Sequence, residues 1–217
     1  MLGKILLIGG ASVVALGVVG DLAAKGYVED KIAEKAEEAV GGKAHATAEI
    51  DSFPFVLRLL SSGSGGDVSL HVEDVATPTI DLARVHLDLE GVELDRAKLL
   101  SDRRAEVTKI DRGTVTVGID ADAVSKALGG LPVTIRGNTV EVRVAGRVVT
   151  ADVTVASAGS IRVGVPRGPS ATIGIPKTDL ISCEGQALSF EDDELRVSCT
   201  ITEVPPVLLR AVQQRVR

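Results

Sequence analysis

The chain is expected to be an α+β protein: an elongated, curved, mostly antiparallel sheet with a few short helices, preceded by an N-terminal membrane helix. Three observations lead there. The hydrophobic period after residue 42 is mostly two, helix punctuation is sparse, and the first twenty residues hold a long uncharged run. With 217 residues, 45% hydrophobic and 25% charged, the composition is that of a globular chain and excludes a disordered or collagen-like one. Three Phe, one Tyr and no Trp leave the core to Val, Leu, Ile and Ala. The expected organisation is a signal-anchor or signal peptide over 1–20, a helical stalk over 21–42 and one α+β domain over 43–217.

The first element runs from Ile5 to Gly20 without a charge, just after Lys4. As a helix these sixteen residues rise ~24 Å, slightly short of a hydrocarbon core, and Lys4 can snorkel at one end. A positive start before an apolar run is the pattern of an export signal. Leu22-Ala23-Ala24 is a poor cleavage site because Leu22 stands where a small residue is wanted; Val18-Val19-Gly20 is tolerable. No Cys follows closely, which excludes a lipoprotein. Lys4 favours an N-terminus inside and a body outside the cytoplasmic membrane.

Asp21 to Val40 is rich in Ala, Glu and Lys and reads as a solvated helical stalk or lid, ended by Gly41-Gly42. Strands follow. Val68, Leu70 and Val72 alternate with polar residues, as do Val115, Val117 and Ile119, then Val140, Val142 and Val144, then Leu195, Val197, Cys199 and Ile201. Each reads as a half-buried strand. Between Ile80–Leu82 and Val85–Leu87–Leu89 the apolar parity changes, so a bulge is expected near Ala83-Arg84. Short helices are expected over Leu94–Leu100, from an Asp120 or Asp122 cap to Leu128, and over Val207–Arg217. Ser61 to Gly66 reads as a flexible loop.

The strongest local signal is Ser52-Phe53-Pro54-Phe55-Val56-Leu57-Arg58-Leu59-Leu60, which holds two of the three Phe. If the segment coils after Pro54, Leu57 and Leu60 fall near the aromatics. It is either a core plug or the mouth of an apolar cavity. This motif, ahead of a Leu-rich helix and a Gly loop, resembles the actinobacterial LmeA-like phospholipid-binding family. So do Val72-Glu73-Asp74-Val75, Leu87-Asp88-Leu89-Glu90-Gly91-Val92, the strand Val115-Thr116-Val117-Gly118-Ile119 and Leu131-Pro132, over about residues 22 to 210. The resemblance implies an envelope protein of mycobacterium-like bacteria with a tubular, lipid-transfer-protein-like (TULIP-like) fold and an apolar groove for phospholipid. It also implies acyl-chain contacts at Phe53, Phe55, Leu57 and Leu60.

On that reading the protein lies on the extracytoplasmic face of the cytoplasmic membrane, anchored, or periplasmic if cleaved. Burying one acyl chain of ~16 carbons contributes about 12 kcal/mol gross, most of it offset by the competing bilayer, which permits pick-up and release. Arg58, Lys98, Arg103 and Arg104 are candidates to meet a headgroup phosphate. No cofactor is expected beyond phospholipid as bound ligand. The alternative is a structural or scaffold partner of an envelope glycolipid assembly machinery.

Catalytic and metal sites are not expected. No nucleophile–base pair is visible, Gly63-Ser64-Gly65 lacks the flanks of a nucleophile elbow, and His45, His71 and His86 show no reason to converge. A formal charge of −6 argues against nucleic acid. Glu191-Asp192-Asp193-Glu194 reads as a charged hairpin turn, and Arg210, Arg215 and Arg217 as a charged helix end. Folding about that turn sets Phe190 near Leu195 and Gln186 near Cys199. Cys183 then lies about three residues, ~10 Å, past Cys199, too far to bridge unless Gly185 supplies a bend. In an oxidising compartment a Cys183–Cys199 disulfide is expected.

Overall fold

A computed structural model describes residues 2–40, 44–77, 80–102, 107–157, 160–174 and 184–201. Helix α1 (Leu2–Val40) is followed by β1 (His45–Asp51), α2 (Phe55–Ser62), β2 (Ser64–Ala76), β3 (Asp81–Leu94), α3 (Arg96–Asp102), β4 (Val107–Lys109) and β5 (Arg112–Ile119). After α4 (Ala121–Ala127) come β6 (Val133–Arg136), β7 (Thr139–Val144), β8 (Arg147–Ser157), β9 (Ser160–Gly164), β10 (Ser170–Gly174), β11 (Glu184–Glu191) and β12 (Glu194–Ile201). The strands form two sheets rather than one. The larger is ordered β1-β2-β3-β5-β12-β11, with β4 on β3, and the smaller β10-β9-β8-β7-β6. Every described pairing is antiparallel.

One apolar cluster joins the sheets. Val115, Val117, Leu195 and Val197 of the larger sheet share it with Val140, Val142, Ile161 and Val163 of the smaller and with Val124 of α4. These are β-branched or Leu side chains at alternate positions, the pattern that lets one face of each strand desolvate. The predicted strands are all present. So is α4, whose N-cap Asp120 accepts from Ala123 N–H at 2.7 Å, as its sequence signal required. The helix expected over Leu94–Leu100 begins two residues later.

Helix α1 continues unbroken from the uncharged run into the charged segment. Among the described residues no helix is long and apolar enough to cross a membrane. The charged half is not a free-standing stalk: it lies against β1, the open edge of the larger sheet. Glu37 Oε1 accepts from Ala46 N–H at 2.9 Å and Glu29 Oε1 from Ile50 N–H at 2.7 Å. An eight-residue step along a helix rises ~12 Å, close to the ~13 Å between Ala46 and Ile50 along a strand. The two carboxylates therefore keep step with outward N–H groups that would otherwise stand unpaired at a sheet edge. Lys31–Glu34 and Lys35–Glu38 form ion pairs on the solvent side. The Lys31 ammonium holds the Glu34 carboxyl below its ordinary value, and Glu34 raises Lys31 in return.

Two sequence expectations fail. No residue is inserted at Ala83-Arg84, since Val72↔Val85, Glu73↔Arg84 and Val75↔Leu82 keep one register, but Asp74↔Ala83 drops out of the ladder and Asp74 stands at φ +56°. The apolar parity changes across that irregular point: Val75 and Leu82 beyond it are buried in the same core cluster as Val72 and Leu89 before it, while Arg84 and His86 make polar contacts. The Ser61–Gly66 loop is also absent. Ser61 and Ser62 finish α2, Ser64 opens β2, and Gly63 alone joins them at φ +80°, its N–H on Leu59 C=O. A Cβ there would lie 2.6 Å from Leu94 C=O, so a left-handed turn with no side chain is what allows the tight join.

Candidate functional site

The register collects one apolar face across the larger sheet. Ala46↔Val72 and Ala48↔Leu70 join β1 to β2; Val68↔Leu89, Leu70↔Leu87 and Val72↔Val85 join β2 to β3; Leu87↔Val115 and Val85↔Val117 continue into β5. Val117↔Val197 and Leu188↔Val197 extend it to β12 and β11. Side chains directly opposite in a ladder share a face. Its centre is covered, with Val115, Val117, Leu195 and Val197 fully buried. Val68, Leu70, Val85 and Leu87, by contrast, are only half buried. These four adjacent side chains form an apolar stripe beside the α1-covered edge. Their alternation was visible in the sequence, but their incomplete covering was not.

The Phe-Pro-Phe segment sits at the end of that stripe. Pro54 is the N-cap of α2, and its side chain offers no capping acceptor. Asp21 of α1 supplies one instead: Oδ2 accepts from Phe55 N–H at 2.8 Å and Oδ1 from Val56 N–H at 2.6 Å. A buried carboxylate on two helix-start N–H groups combines charge-assisted bonds with the favourable end of the helix dipole. The sequence signal was the row Asp21, Glu29, Glu37, eight residues apart, which a solvated-helix reading passes over.

This corner separates the four predicted lipid contacts. Phe55 points inward at 3% exposure, whereas Phe53, Leu57 and Leu60 face outward at 62%, 64% and 46%. Of the headgroup candidates, Arg58 is exposed on α2 beside them, and Lys98 lies on α3, its Nζ 3.9 Å from Asp95. Arg103 and Arg104 lie outside the described residues, as do Arg210, Arg215, Arg217 and the helix expected over Val207–Arg217.

The opposite, polar face holds two clusters. His71 and His86 are ladder partners, with Nδ1 atoms 3.4 Å apart, contrary to the expectation that the histidines stay separate. β2 and β3 are consecutive antiparallel strands, and their register sets the two residues opposite each other. His86 Nε2 lies 3.0 Å from Asp88 and His71 Nε2 3.4 Å from Glu73. They border an open polar depression of about 380 Å³ with Lys25, Glu29, Thr47 and Ser69. No group of three or more potential metal ligands occurs among the described residues. The second cluster is ionic: Glu194, buried, meets Arg84 at 3.2 Å, and Arg196 meets Asp192 at 2.9 Å. Gly118 separates Arg84 from Arg196 along the ladder row. A Cβ on it would come within 2.7 Å of the Glu194 carboxylate, so glycine lets the pair close over the strand.

The acidic run forms the β11–β12 hairpin turn, with Asp192 and Asp193 both at positive φ, the geometry of a two-residue turn. The predicted pairings Phe190↔Leu195 and Gln186↔Cys199 are present, and the register shifts between Glu184 and Gln186, at Gly185. Cys199 is buried, and no described cysteine is free; Cys183 lies outside the described residues.

No curated protein and no solved structure matches the chain. A family model described as LmeA-like phospholipid-binding matches residues 19–212. That span includes the docked half of α1, the Phe-Pro-Phe corner, the apolar face and both sheets, so the chain belongs to the LmeA-like phospholipid-binding family.

Proposed function

We propose that the protein is a non-enzymatic phospholipid-binding or lipid-transfer protein of the cell envelope, holding acyl chains in an apolar groove. The observation that carries this reading is the half-buried stripe of Val68, Leu70, Val85 and Leu87 in a chain of a phospholipid-binding family. Each methylene moved from water onto such a surface contributes about 0.8 kcal/mol. Because the bilayer offers similar surroundings, loading and release stay near balance. In this reading the domain has a tubular lipid-binding architecture and works on the extracytoplasmic face of the cytoplasmic membrane, held by the uncharged first half of α1 or released by cleavage.

Native mass spectrometry with lipid extraction tests this on full chain purified from bacterial membranes. A phospholipid at defined stoichiometry is expected, and it should fall when Leu70→Trp fills the stripe. A clean apo mass with no uptake from added liposomes would sink the reading. It would favour the alternative, a scaffold of envelope glycolipid assembly whose apolar face is filled by its own side chains.

An oxidising compartment also implies the Cys183–Cys199 disulfide. The register shift between Glu184 and Gln186 supports it, since it falls at Gly185, the residue whose bend the bridge requires. Mass analysis of exported protein under non-reducing conditions should show a loss of two hydrogens. Two free thiols would remove the bridge.

A further inference from the structure

Of the ten large hydrophobic side chains exposed among the described residues, seven lie on the adjoining elements at one end: Val18, Val19, Leu22, Phe53, Leu57, Leu60 and Leu100. Scattered exposed apolar residues need no explanation, but a contiguous group does. Three contacts tie the elements that carry them. Asp21 holds the start of α2 against α1, Leu94 N–H bonds Gly63 C=O at 2.8 Å, and Arg96 of α3 donates to Ser61 C=O at the end of α2. The side chains thus stand on a fixed platform rather than on loose loops.

We infer that this platform, with Phe53, Leu57, Leu60 and Leu100 as its apolar contacts, docks on the surface of an anionic lipid bilayer. Two observations select a bilayer over a protein partner. First, α1 continues from the platform into the uncharged run Ile5–Gly20. At ~24 Å that run falls short of a ~30 Å hydrocarbon core. Val19 and Leu22 on α1, and Phe53 and Leu57 beside it, extend apolar surface through the level where the run ends. Second, Arg58 on α2 and Arg96 on α3 are exposed on the platform's own helices, although the chain as a whole carries −6. Apolar side chains accompanied by arginine are the composition of an interfacial helix, which sits at the headgroup–acyl boundary and is drawn to anionic lipid. The half-buried stripe begins at Val68, five residues past Gly63, so docking sets it close to the bilayer from which a lipid would come. This deepens the proposed lipid-binding reading but makes a separate claim, that the platform itself enters the interface.

The absence of Trp from the chain makes the test direct. Full-length Leu57→Trp, Ala11→Trp and Val148→Trp proteins are reconstituted in phosphatidylglycerol–phosphatidylcholine vesicles, with bromines on the acyl chains as quenchers. Leu57 and Val148 are both exposed, so neither Trp disturbs the core. Leu57→Trp emission should shift to the blue and be quenched about twofold by shallow bromines, as expected for a side chain at the headgroup–acyl boundary. Val148→Trp should remain unquenched, and replacing phosphatidylglycerol by phosphatidylcholine should weaken the Leu57→Trp effect. Ala11→Trp reports the helical run alone. Quenching at position 11 with a water-like spectrum at position 57 would overturn docking while leaving anchoring intact. A blue shift at position 57 that depends on protein concentration without vesicles would also overturn it, in favour of self-association. Lipid co-purification, read by mass spectrometry on the same proteins, reports the groove independently.

Discussion

Replacing Asp21 with alanine is expected to lower the unfolding free energy by about 2–4 kcal/mol, from the loss of a helix cap and two charge-assisted hydrogen bonds in a buried setting. Asp21 is 6% exposed, and both its oxygens are engaged, at 2.8 and 2.6 Å, by N–H groups of Phe55 and Val56. Pro54 supplies no alternative cap, so both N–H groups lose their acceptor at once. Asp21→Asn should cost less, because it retains one acceptor oxygen while its amide can no longer serve both donors. Urea unfolding of the full chain in detergent gives the comparison. Equal midpoints for wild type, Asp21→Asn and Asp21→Ala would show that the carboxylate does not hold the corner. Glu29 and Glu37 each accept a single N–H from β1, and their removal should have smaller effects.

The second large effect is expected at Glu194. This carboxylate is 8% exposed and lies 3.2 Å from Arg84, with Arg196 Nε 4.0 Å from its other oxygen. Breaking a buried pair by removing one partner leaves the remaining charge poorly solvated and costs ~3–5 kcal/mol in fully buried cases. Arg84 keeps a third of its side-chain surface in water, so Glu194→Ala should cost about 2–3 kcal/mol after discounting for that solvation. Arg196 is itself shared with Glu191 and Asp192, which limits the damage on its side. A double-mutant cycle with Arg84→Met separates the pair from the packing of each side chain. A coupling indistinguishable from zero would mean that Glu194 matters only through its place in the strand.

Several features of the candidate site were visible in the sequence for local reasons. The β11–β12 register followed from the Glu191–Glu194 turn, because a two-residue turn sets every pairing beyond it. Gly185 was singled out as the residue able to bend the strand, and the register shift occurs there. The Phe-Pro-Phe segment was recognisable as special, but its two aromatics have opposite destinations. Whether Phe53 or Phe55 faces inward depends on where α1 docks, and at this corner that docking rests on one carboxylate, Asp21, thirty-four and thirty-five residues away in sequence from its two partners. The His71–His86 contact was equally hidden, since a period-two reading places both on polar faces without saying that the faces are the same one.

What the sequence by itself determined is which side chains share a strand face, where the β11–β12 turn and the α4 caps fall, and membership in a lipid-binding family. Those depend on period-two alternation, on glycine and aspartate at turns, and on an ordered set of motifs, all of which act over a few residues. The tertiary structure alone decided that the strands divide into two sheets, that β3 takes no inserted residue at Ala83-Arg84, and that α1 is an edge cover rather than a stalk. It also decided which part of the apolar face stays half open. Alternation states that a face is apolar, but its covering depends on distant elements whose backbone N–H groups and carboxylates must find one another in space.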